Sequence, residues 1–308
     1  MLKGINIHQY EWGSSEVNYE WKVFPRVIDA VWASGIRAVR FGVTSDTVDN
    51  SKPSQISRAA MTMGLCRDRG LKTQLVFIAP FRFNRTDNGV FTDNAAGRYS
   101  MGYTRLKALL QALPKAPDYI ELENELTLAV SPKLVYNQGQ IPSYYDGIAA
   151  FGEYVDLLLG ELAAAREVCP TSKVIVGTVQ GNYGFIPWLL SKGVSMDIAG
   201  YHAYGRPQDS LSNWFELGQN LETVFASWGL PISVNEVNGN VTLGQPSMGV
   251  QGKRFQDEFA AMPMVESIFV YEMFDSVSET GFGCCDIDSA GYSVRASQSA
   301  LIGSIKGT

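Results

Sequence analysis

The sequence predicts a single (β/α)8 barrel, an α/β fold of eight parallel strands that alternate with eight helices. Three observations support this prediction. Eight short apolar runs, each followed by an amphipathic stretch, fill the 308 residues. No linker, charge block or change in composition divides the chain. Polar and ionisable residues recur where the apolar runs end. Eight strand–helix units are what this barrel requires, and such barrels routinely have this length as one domain. We therefore expect residues 1–308 to form one domain.

The strand and helix predictions follow the chain in order. The strands are predicted at 3–8, 38–43, 72–79, 118–125, 173–180, 197–204, 232–237 and 267–274. The helices are predicted at 25–34, 54–69, 103–113, 143–168, 185–191, 211–228, 252–261 and 294–305. Gly35 and Gly70 follow the first two helices, as is common at helix C-termini. A doubly wound open sheet is the alternative, but it normally has fewer units and a glycine-rich first turn, which residues 7–13 lack.

Composition limits the class of partner. The formal net charge is -6, the sequence pI is about 5.1, and lysine and arginine are scattered along the predicted helices. An acidic chain without a basic patch disfavours nucleic acid and anionic membranes as partners. No stretch of about 18 apolar residues predicts a membrane span. We expect a neutral ligand, no nucleic acid or membrane partner, and a monomer.

The cysteines and the N-terminus suggest no cofactor and no secretion signal. The four cysteines are Cys66, Cys169, Cys284 and Cys285. They form neither a disulfide scaffold nor a zinc signature, so we predict ordinary thiols and no metal or cofactor; a vicinal Cys284–Cys285 disulfide is the alternative. Residues 1–6 lead directly into a strand pattern without a signal-peptide segment. The expected location is cytoplasmic, or release by lysis, unless a leader was removed.

Two glutamates, Glu125 and Glu236, are predicted at the ends of the fourth and seventh strands, and each follows an asparagine. Barrel active sites lie at the C-terminal ends of the strands. Other polar residues fall at or near the same rim: His8, Arg40, Gln180, His202, Tyr204 and Glu272. Polar groups that converge within an apolar wall are costly unless a ligand or one another satisfies them. The pattern therefore predicts a binding site at this rim.

These residues carry a resemblance to a known family. The pattern consists of Asn-Glu on strand four, Glu on strand seven, Arg40 on strand two, His-x-Tyr at 202–204 and an aromatic-rich strand eight at 269–275. It resembles the retaining glycoside hydrolases of the (β/α)8 superfamily called clan A, over nearly the whole chain. The resemblance implies a single catalytic domain that cleaves a β-linked glycan, an oligo- or polysaccharide such as an exopolysaccharide. It also implies that Glu125 is the acid/base and Glu236 the nucleophile, with their carboxyl groups about 5 to 5.5 Å apart.

The resemblance also implies how the other residues act. Arg40 would hold Glu236 ionised, Tyr204 would donate to Glu236, and Asn124 would bind the sugar 2-hydroxyl. The predicted substrate-binding residues are Asn124, Arg40, His202, Tyr204, His8, Gln180, Trp12, Tyr271 and Glu272. Long predicted loops at 81–101 and 126–142 favour an open cleft and cutting within a chain.

The sequence departs from the family pattern at three places. Leu126 stands where proline is usual, and Glu123 stands where an aromatic residue is common. The usual strand-eight tryptophan is missing, so Tyr271, Met273 or Phe274 would serve in its place. The exact family and the sugar therefore stay open.

Other interpretations remain for the same residues. Glu121 and Glu123 share strand parity with Glu125, so at least one should be ion-paired inside the barrel, and Arg40 could be that structural partner. His8 and His202 could be core histidines, and Glu272 a salt-bridge residue. Two other functions also remain. A non-catalytic glycan-binding barrel would have lost one glutamate, and a metal-dependent lyase or isomerase usually needs more than two histidines.

Overall fold

The protein forms a closed barrel of eight parallel strands in which each strand pairs with the next and β8 pairs with β1. The computed structural model describes residues 1–7, 24–44, 55–78, 94–130, 139–179, 181–205, 209–214, 219–239, 246–274, 282–287, 292–295 and 298–306. The barrel strands are β1 (Leu2–Asn6), β2 (Ala38–Thr44), β3 (Lys72–Ile78), β4 (Tyr119–Leu122), β5 (Lys173–Val179), β6 (Ile198–Gly205), β7 (Ile232–Gly239) and β8 (Val265–Val270). The predicted single (β/α)8 barrel is confirmed.

Helices follow the strands on the outside of the barrel. They are α1 (Phe24–Ala33), α2 (Gln55–Asp68), α3 (Ala95–Ala112), α4 (Leu126–Val130), α5 (Ala149–Val168), α6 (Phe185–Ser191), α7 (Leu221–Trp228), α8 (Pro246–Ala260) and α9 (Ser299–Gly303). A 3₁₀ helix (Pro142–Gly147) precedes α5, and a two-stranded antiparallel sheet of β9 (Cys285–Ile287) and β10 (Tyr292–Val294) follows β8. Apolar side chains of strands and helices form one continuous core between the two layers.

The strands agree with the prediction more closely at their starts than at their ends. β4 stops at Leu122 and not at Glu125, because Glu123 and Glu125 have φ values of 61° and 48°. A left-handed backbone cannot continue an extended strand, so Asn124 and Glu125 lie in a turn. β8 likewise ends at Val270.

Five helices start five or more residues away from their predicted bounds. α5 begins at Ala149 and not at residue 143, because the 3₁₀ helix occupies Pro142–Gly147, and α8 begins at Pro246 and not at residue 252. The other three differ for local reasons. α3 begins at Ala95 and not at residue 103, because the Asn94 side chain caps it by accepting from Gly97 N at 2.9 Å. α7 begins at Leu221 and not at residue 211, because Asn220 caps it in the same way. The predicted helix 294–305 is shorter, because residues up to Val294 pair in the β9–β10 sheet.

The structure also addresses the state of the cysteines and the question of membrane-spanning helices. All four cysteines are buried free thiols, so the vicinal disulfide is not formed. Within the described ranges, every helix is too short or too polar to cross a membrane.

Candidate active site

Arg40 on β2 is the centre of a buried hydrogen-bond network at the C-terminal end of the barrel. Its Nε and Nη2 donate to the two oxygens of Glu121 at 2.7 and 3.0 Å. Nη1 donates to Glu236 Oε1 at 2.6 Å and to Asn6 Oδ1 at 2.7 Å. Nη2 also donates to Asn124 Oδ1 at 2.7 Å. One guanidinium thus holds side chains from β1, β7 and the end of β4. Arg40 contacts both Glu236 and Glu121, the two partners that the sequence offered for it.

Glu236 lies on β7 with each of its oxygens held by a different donor. Arg40 donates to Oε1, and the Tyr204 hydroxyl donates to Oε2 at 2.6 Å. Glu236 is opposite His202 in the β6–β7 register, directly after a register shift between Tyr201 and His202. Irregular pairing of this kind is common beside functional sites because it redirects a side chain. It places Glu236 and His202 next to each other.

His202 lies between the two glutamates predicted to be catalytic. Its Nδ1 is 3.0 Å from Glu125 Oε1 and 3.2 Å from Glu236 Oε2. These carboxylate oxygens and the histidine nitrogen all lie within 4.8 Å of one another. The side chain of Glu125 is 28% exposed, whereas that of Glu236 is 7% exposed. Two carboxylates therefore face each other at the rim, one open to solvent and one enclosed.

The charges of this network shift the pKa values of its members. Burial raises the pKa of a carboxyl, but the positive charges of His202 and Arg40 outweigh it and hold the pKa of Glu236 well below its usual range. The same balance of burial against Arg40 lowers the pKa of Glu121 to about 2. Burial lowers the pKa of His202, yet the charge of Glu236 and hydrogen bonds to carboxylates raise it well above 6.5. These shifts favour the ionised form of Glu236 and the protonated form of His202.

A second layer of amides supports the network from inside the barrel. Gln74 Nε2 donates to Glu121 Oε2 at 2.8 Å and to Asn235 Oδ1 at 3.0 Å. Asn6 Nδ2 donates to the carbonyls of Asn235 and Val270 at 3.0 and 3.2 Å. This layer ties Glu121, and through it Arg40, to four other strands, β1, β3, β7 and β8.

An aromatic group borders Glu236. The ring of Tyr204 lies 5.8 Å from that of Tyr271 and 5.7 Å from that of Phe282, and both pairs are edge-on. Tyr271 is 7% exposed, whereas Met273 is fully buried. Of the three residues proposed to replace the missing tryptophan, Tyr271 has a ring that contacts Tyr204, the residue that donates to Glu236.

The remaining predicted site residues divide into two groups. His8, Trp12 and Gln180 lie outside the described residues, and their roles stay predictions. Glu272 is fully buried, and its backbone bonds to Phe282 and Cys284. Its substrate-binding role also stays a prediction.

Glu123 differs from its expected environment. Strand parity predicted that it would point into the barrel with Glu121, but β4 ends at Leu122 and the backbone of Glu123 is left-handed. Its carboxyl interacts with that of Glu161 on α5. Glu121 has the predicted arginine partner.

Sequence reasoning missed Asn6, Gln74 and Asn235, which orient the charged residues. The available signal was a polar side chain inside an apolar strand, since all three are at most 3% exposed. Gly200 is part of the same arrangement, because a Cβ there would clash with the Asn235 amide. Glu161 also had a signal, a charged residue within the apolar stripe of a helix.

The closed (β/α)8 barrel is the fold of solved glycoside hydrolases, so the resemblance seen in the sequence is confirmed for the fold.

Comparisons with solved structures identify proteins of similar fold. The β-glycosidase BGL167 has a TM-score of 0.72 at 13% identity, covering 99% of this chain and 96% of that one. An endocellulase from Pyrococcus horikoshii, in complex with cellotetraose, has a TM-score of 0.66 at 15% identity, with coverages of 97% and 92%. An endo-β-1,4-mannanase from Thermotoga petrophila has a TM-score of 0.62 at 14% identity, with coverages of 99% and 76%. No family model and no curated protein matches the sequence.

Proposed function

We propose that this chain is a retaining O-glycosidase that cleaves a β-linked oligo- or polysaccharide, with residues 1–308 as one catalytic domain. The observation that carries the proposal is the pair Glu125 and Glu236, whose nearest oxygens lie within 4.8 Å. Retaining enzymes hold their carboxyl groups at about 5 to 5.5 Å, whereas inverting enzymes separate them by about 6.5 to 9.5 Å to admit a water. The short separation favours a nucleophile and an acid/base.

The environments of the two carboxylates support different roles. Arg40, His202 and Tyr204 hold Glu236 ionised and in one orientation, which suits attack on an anomeric carbon. The Glu125 side chain is more exposed than that of Glu236. Among the described residues of the site, His202 is its hydrogen-bond partner. A carboxyl at the open rim can reach the leaving oxygen and later a water.

The chemistry takes two displacements. In the first, a Glu236 oxygen attacks the anomeric carbon, the bond to the leaving oxygen breaks, and Glu125 gives its proton to that oxygen. In the second, Glu125 takes a proton from water, the water oxygen attacks the same carbon, and the ester bond to Glu236 breaks. Two inversions leave the anomeric configuration unchanged. His202 and Arg40 balance the negative charge that Glu236 carries before the first step and regains when the second step breaks the ester bond.

The neighbouring residues suit a sugar. Asn124 uses its Oδ1 to accept from Arg40, so its amide NH₂ is oriented for a hydroxyl such as the 2-hydroxyl. Tyr271 offers a ring for the apolar face of the sugar. We also propose a monomeric enzyme that cuts within the glycan chain rather than at its end, on the basis of the long connections predicted after β3 and β4. Both predicted loops are shorter in the structure, because residues 95–101 belong to α3 and Leu126–Val130 form α4.

The test compares Glu125→Ala and Glu236→Gln on aryl glycosides with good and poor leaving groups. Glu236→Gln should lose activity on both. Glu125→Ala should lose far more on the poor leaving group, and azide should restore activity on the good one. The exposed Glu222→Gln on α7 is the control and should match wild type. Equal losses on both substrates in Glu125→Ala would overturn the acid/base assignment, and an inverted first product would overturn retention.

A metal-dependent reaction is the second candidate, because Glu125, His202 and Glu236 offer ligand atoms close enough to share an ion. Arg40 opposes it, since its guanidinium is already 2.6 Å from Glu236 and supplies the positive charge there. Activity should therefore survive dialysis against a chelator. Loss on chelation with recovery on adding a divalent cation would favour the metal-dependent candidate.

A further inference from the structure

β7 carries one extra residue at the site compared with β6. Val234 pairs with Tyr201, and the next register pair joins Glu236 to His202, so Asn235 has no residue opposite it on β6. An extra residue of this kind is a β-bulge, which breaks the ladder and redirects the side chains beside it. The bulge therefore lies directly before the proposed nucleophile.

The pairing of β7 with β8 shows the same insertion. Between the register pairs Val234–Ile268 and Val237–Val270, β7 has two residues, whereas β8 has only Phe269. Because both neighbouring strands have one residue fewer at the same place, the insertion belongs to β7 itself.

The insertion changes the direction in which Glu236 points. Tyr201 packs its ring against phenylalanines of α7 and α8, so Tyr201 and its register partner Val234 face the helices. Side chains alternate between the two faces of a strand, so a regular β7 would turn Glu236 toward the same apolar layer as Val234. With the inserted residue, Asn235 and Glu236 both point into the barrel, where Glu236 accepts from Arg40 at 2.6 Å.

Asn6 of β1 replaces backbone bonds that the bulge interrupts. Its Nδ2 donates to the Asn235 carbonyl at 3.0 Å and to the Val270 carbonyl at 3.2 Å. Buried carbonyl groups need a donor, and a bulge leaves its extra residue unpaired in the ladder. The Asn235 carbonyl belongs to the peptide unit that leads into Glu236, so this bond holds the backbone from which the carboxylate projects.

The side chain of Asn235 is fixed inside the barrel. It is buried, and its Oδ1 accepts from Gln74 Nε2 of β3 at 3.0 Å. Gly200 of β6 leaves room for the amide, since a Cβ there would clash with Asn235 Nδ2. The inserted residue is therefore anchored to β1 through its carbonyl and to β3 through its side chain.

We propose that Asn235 is a positioning residue for Glu236, whose carboxylate its anchored insertion turns toward Arg40. The inference rests on the proposed glycosidase function. The role is indirect, because Asn235 acts through the backbone of the residue that follows it. Its loss should therefore weaken the attack of Glu236 on the anomeric carbon and leave the binding of the glycan unchanged.

The experiment compares wild type with Asn235→Ala. Without the amide, the inserted residue is no longer tied to β3, and the carboxylate of Glu236 should be held less firmly in one direction. We expect kcat and kcat/KM to fall together by about 10- to 100-fold, with KM unchanged, because a misplacement of about 1 Å can cost 10²-fold and the loss affects the transition state alone. Asn235→Ser also loses the bond to Gln74, should behave in the same way, and serves if Asn235→Ala does not fold.

Ser233→Ala is the matched control. Ser233 lies two residues earlier on β7, is fully buried, and accepts from Ser267 Oγ at 2.7 Å. The change removes one buried hydrogen bond from the same strand before the insertion, so it should lower stability while kcat and KM stay at wild-type values. A similar loss of kcat in Ser233→Ala would mean that any weakening of β7 impairs catalysis, and it would overturn the specific role of Asn235.

A crystal structure of each variant supplies a measurement that does not depend on activity. In Asn235→Ala the distance from Arg40 Nη1 to Glu236 Oε1 should increase from 2.6 Å to beyond hydrogen-bonding range, and in Ser233→Ala it should not change. Wild-type kcat in a folded Asn235→Ala, or a Glu236 carboxylate that stays in place in that structure, overturns the proposal. If wild type and variants cleave no glycoside while Glu236 moves as described, the proposed function fails and the positioning role stands.

Discussion

Arg40 organises the site, because it donates hydrogen bonds to several of its side chains at once. Its three nitrogens donate to four side chains from three parts of the barrel. Burial lowers the pKa of the guanidinium, but the charges of Glu121 and Glu236 raise it well above its usual value. Because the guanidinium is planar and carries five N–H donors, it can hold two carboxylates at fixed angles, which a lysine ammonium cannot.

The residue-scale prediction is Arg40→Lys. Lysine keeps the positive charge but lacks the planar set of N–H donors of the guanidinium. The ionised form of Glu236 should therefore be stabilised less, and its pKa should rise. We expect kcat/KM to fall by about 100-fold, or roughly 2.7 kcal/mol, and the acid limb of its pH profile to move to higher pH. The control is Arg69→Lys, whose partner is Asp29 at the surface. A lower kcat/KM with an unmoved acid limb would show that Arg40 does not control the ionisation of Glu236.

At the scale of elements, α3 and α5 pack closely against each other. Gly102 and Gly160 bring the two helices close together, since a Cβ at Gly160 would clash with the Tyr99 carbonyl and lie 2.9 Å from Tyr103 N. Around this contact, Arg98 bonds to Asp156 at 2.7 Å, and Tyr103 donates to Glu167. The approach of backbone to backbone is what encloses Glu161.

The element-scale prediction pairs two glycines of α5. Gly160→Ala should separate the helices and destabilise the protein by about 1–3 kcal/mol, as overpacking does. Gly152→Ala is the matched control, because nothing lies within 4 Å of its Cβ position. That change should be neutral or stabilise the helix by about 0.5–1 kcal/mol, because alanine loses less backbone entropy than glycine. Equal melting temperatures in the two variants would contradict the close packing of α3 against α5.

At the scale of the whole molecule, stability depends on pH through the buried charges of the site. Glu121 has its pKa lowered from 4.5 to about 2, so it binds a proton more readily unfolded than folded. Its contribution is therefore present above about pH 4.5 and is lost as the pH falls toward 2. Glu236 acts in the same direction.

The prediction at this scale concerns Glu121→Gln. The stability difference between wild type and this variant should shrink as the pH falls from 4.5 to 2, by on the order of 3 kcal/mol, because one pH unit corresponds to about 1.4 kcal/mol. Urea unfolding at a series of pH values measures it, with Glu222→Gln as control. A difference that stays constant over that pH range would mean that Glu121 is not ionised by Arg40 in the folded protein.

The sequence alone determined the fold and much of the site. Apolar runs of about six residues, alternating with amphipathic stretches, specify strands and helices through local periodicity and burial, and eight such units favour a barrel over an open sheet. The same rule placed Arg40, Asn124, Glu125, His202, Tyr204 and Glu236 at one rim, where the structure brings them together. The order of strand ends around a barrel is set by chain order, so these neighbours follow from sequence.

Only the tertiary structure decided which charged groups meet. Strand parity assigned Glu121 and Glu123 to the same face, but the left-handed turn sent one to Arg40 and the other to Glu161. Arg40 and Glu121 are 81 positions apart in the chain, and Glu123 and Glu161 are 38 positions apart. No local sequence pattern couples residues at such distances. Periodicity reports which side chains are buried, whereas the pKa of a buried carboxyl depends on whether the group it meets across the core is a cation or another acid.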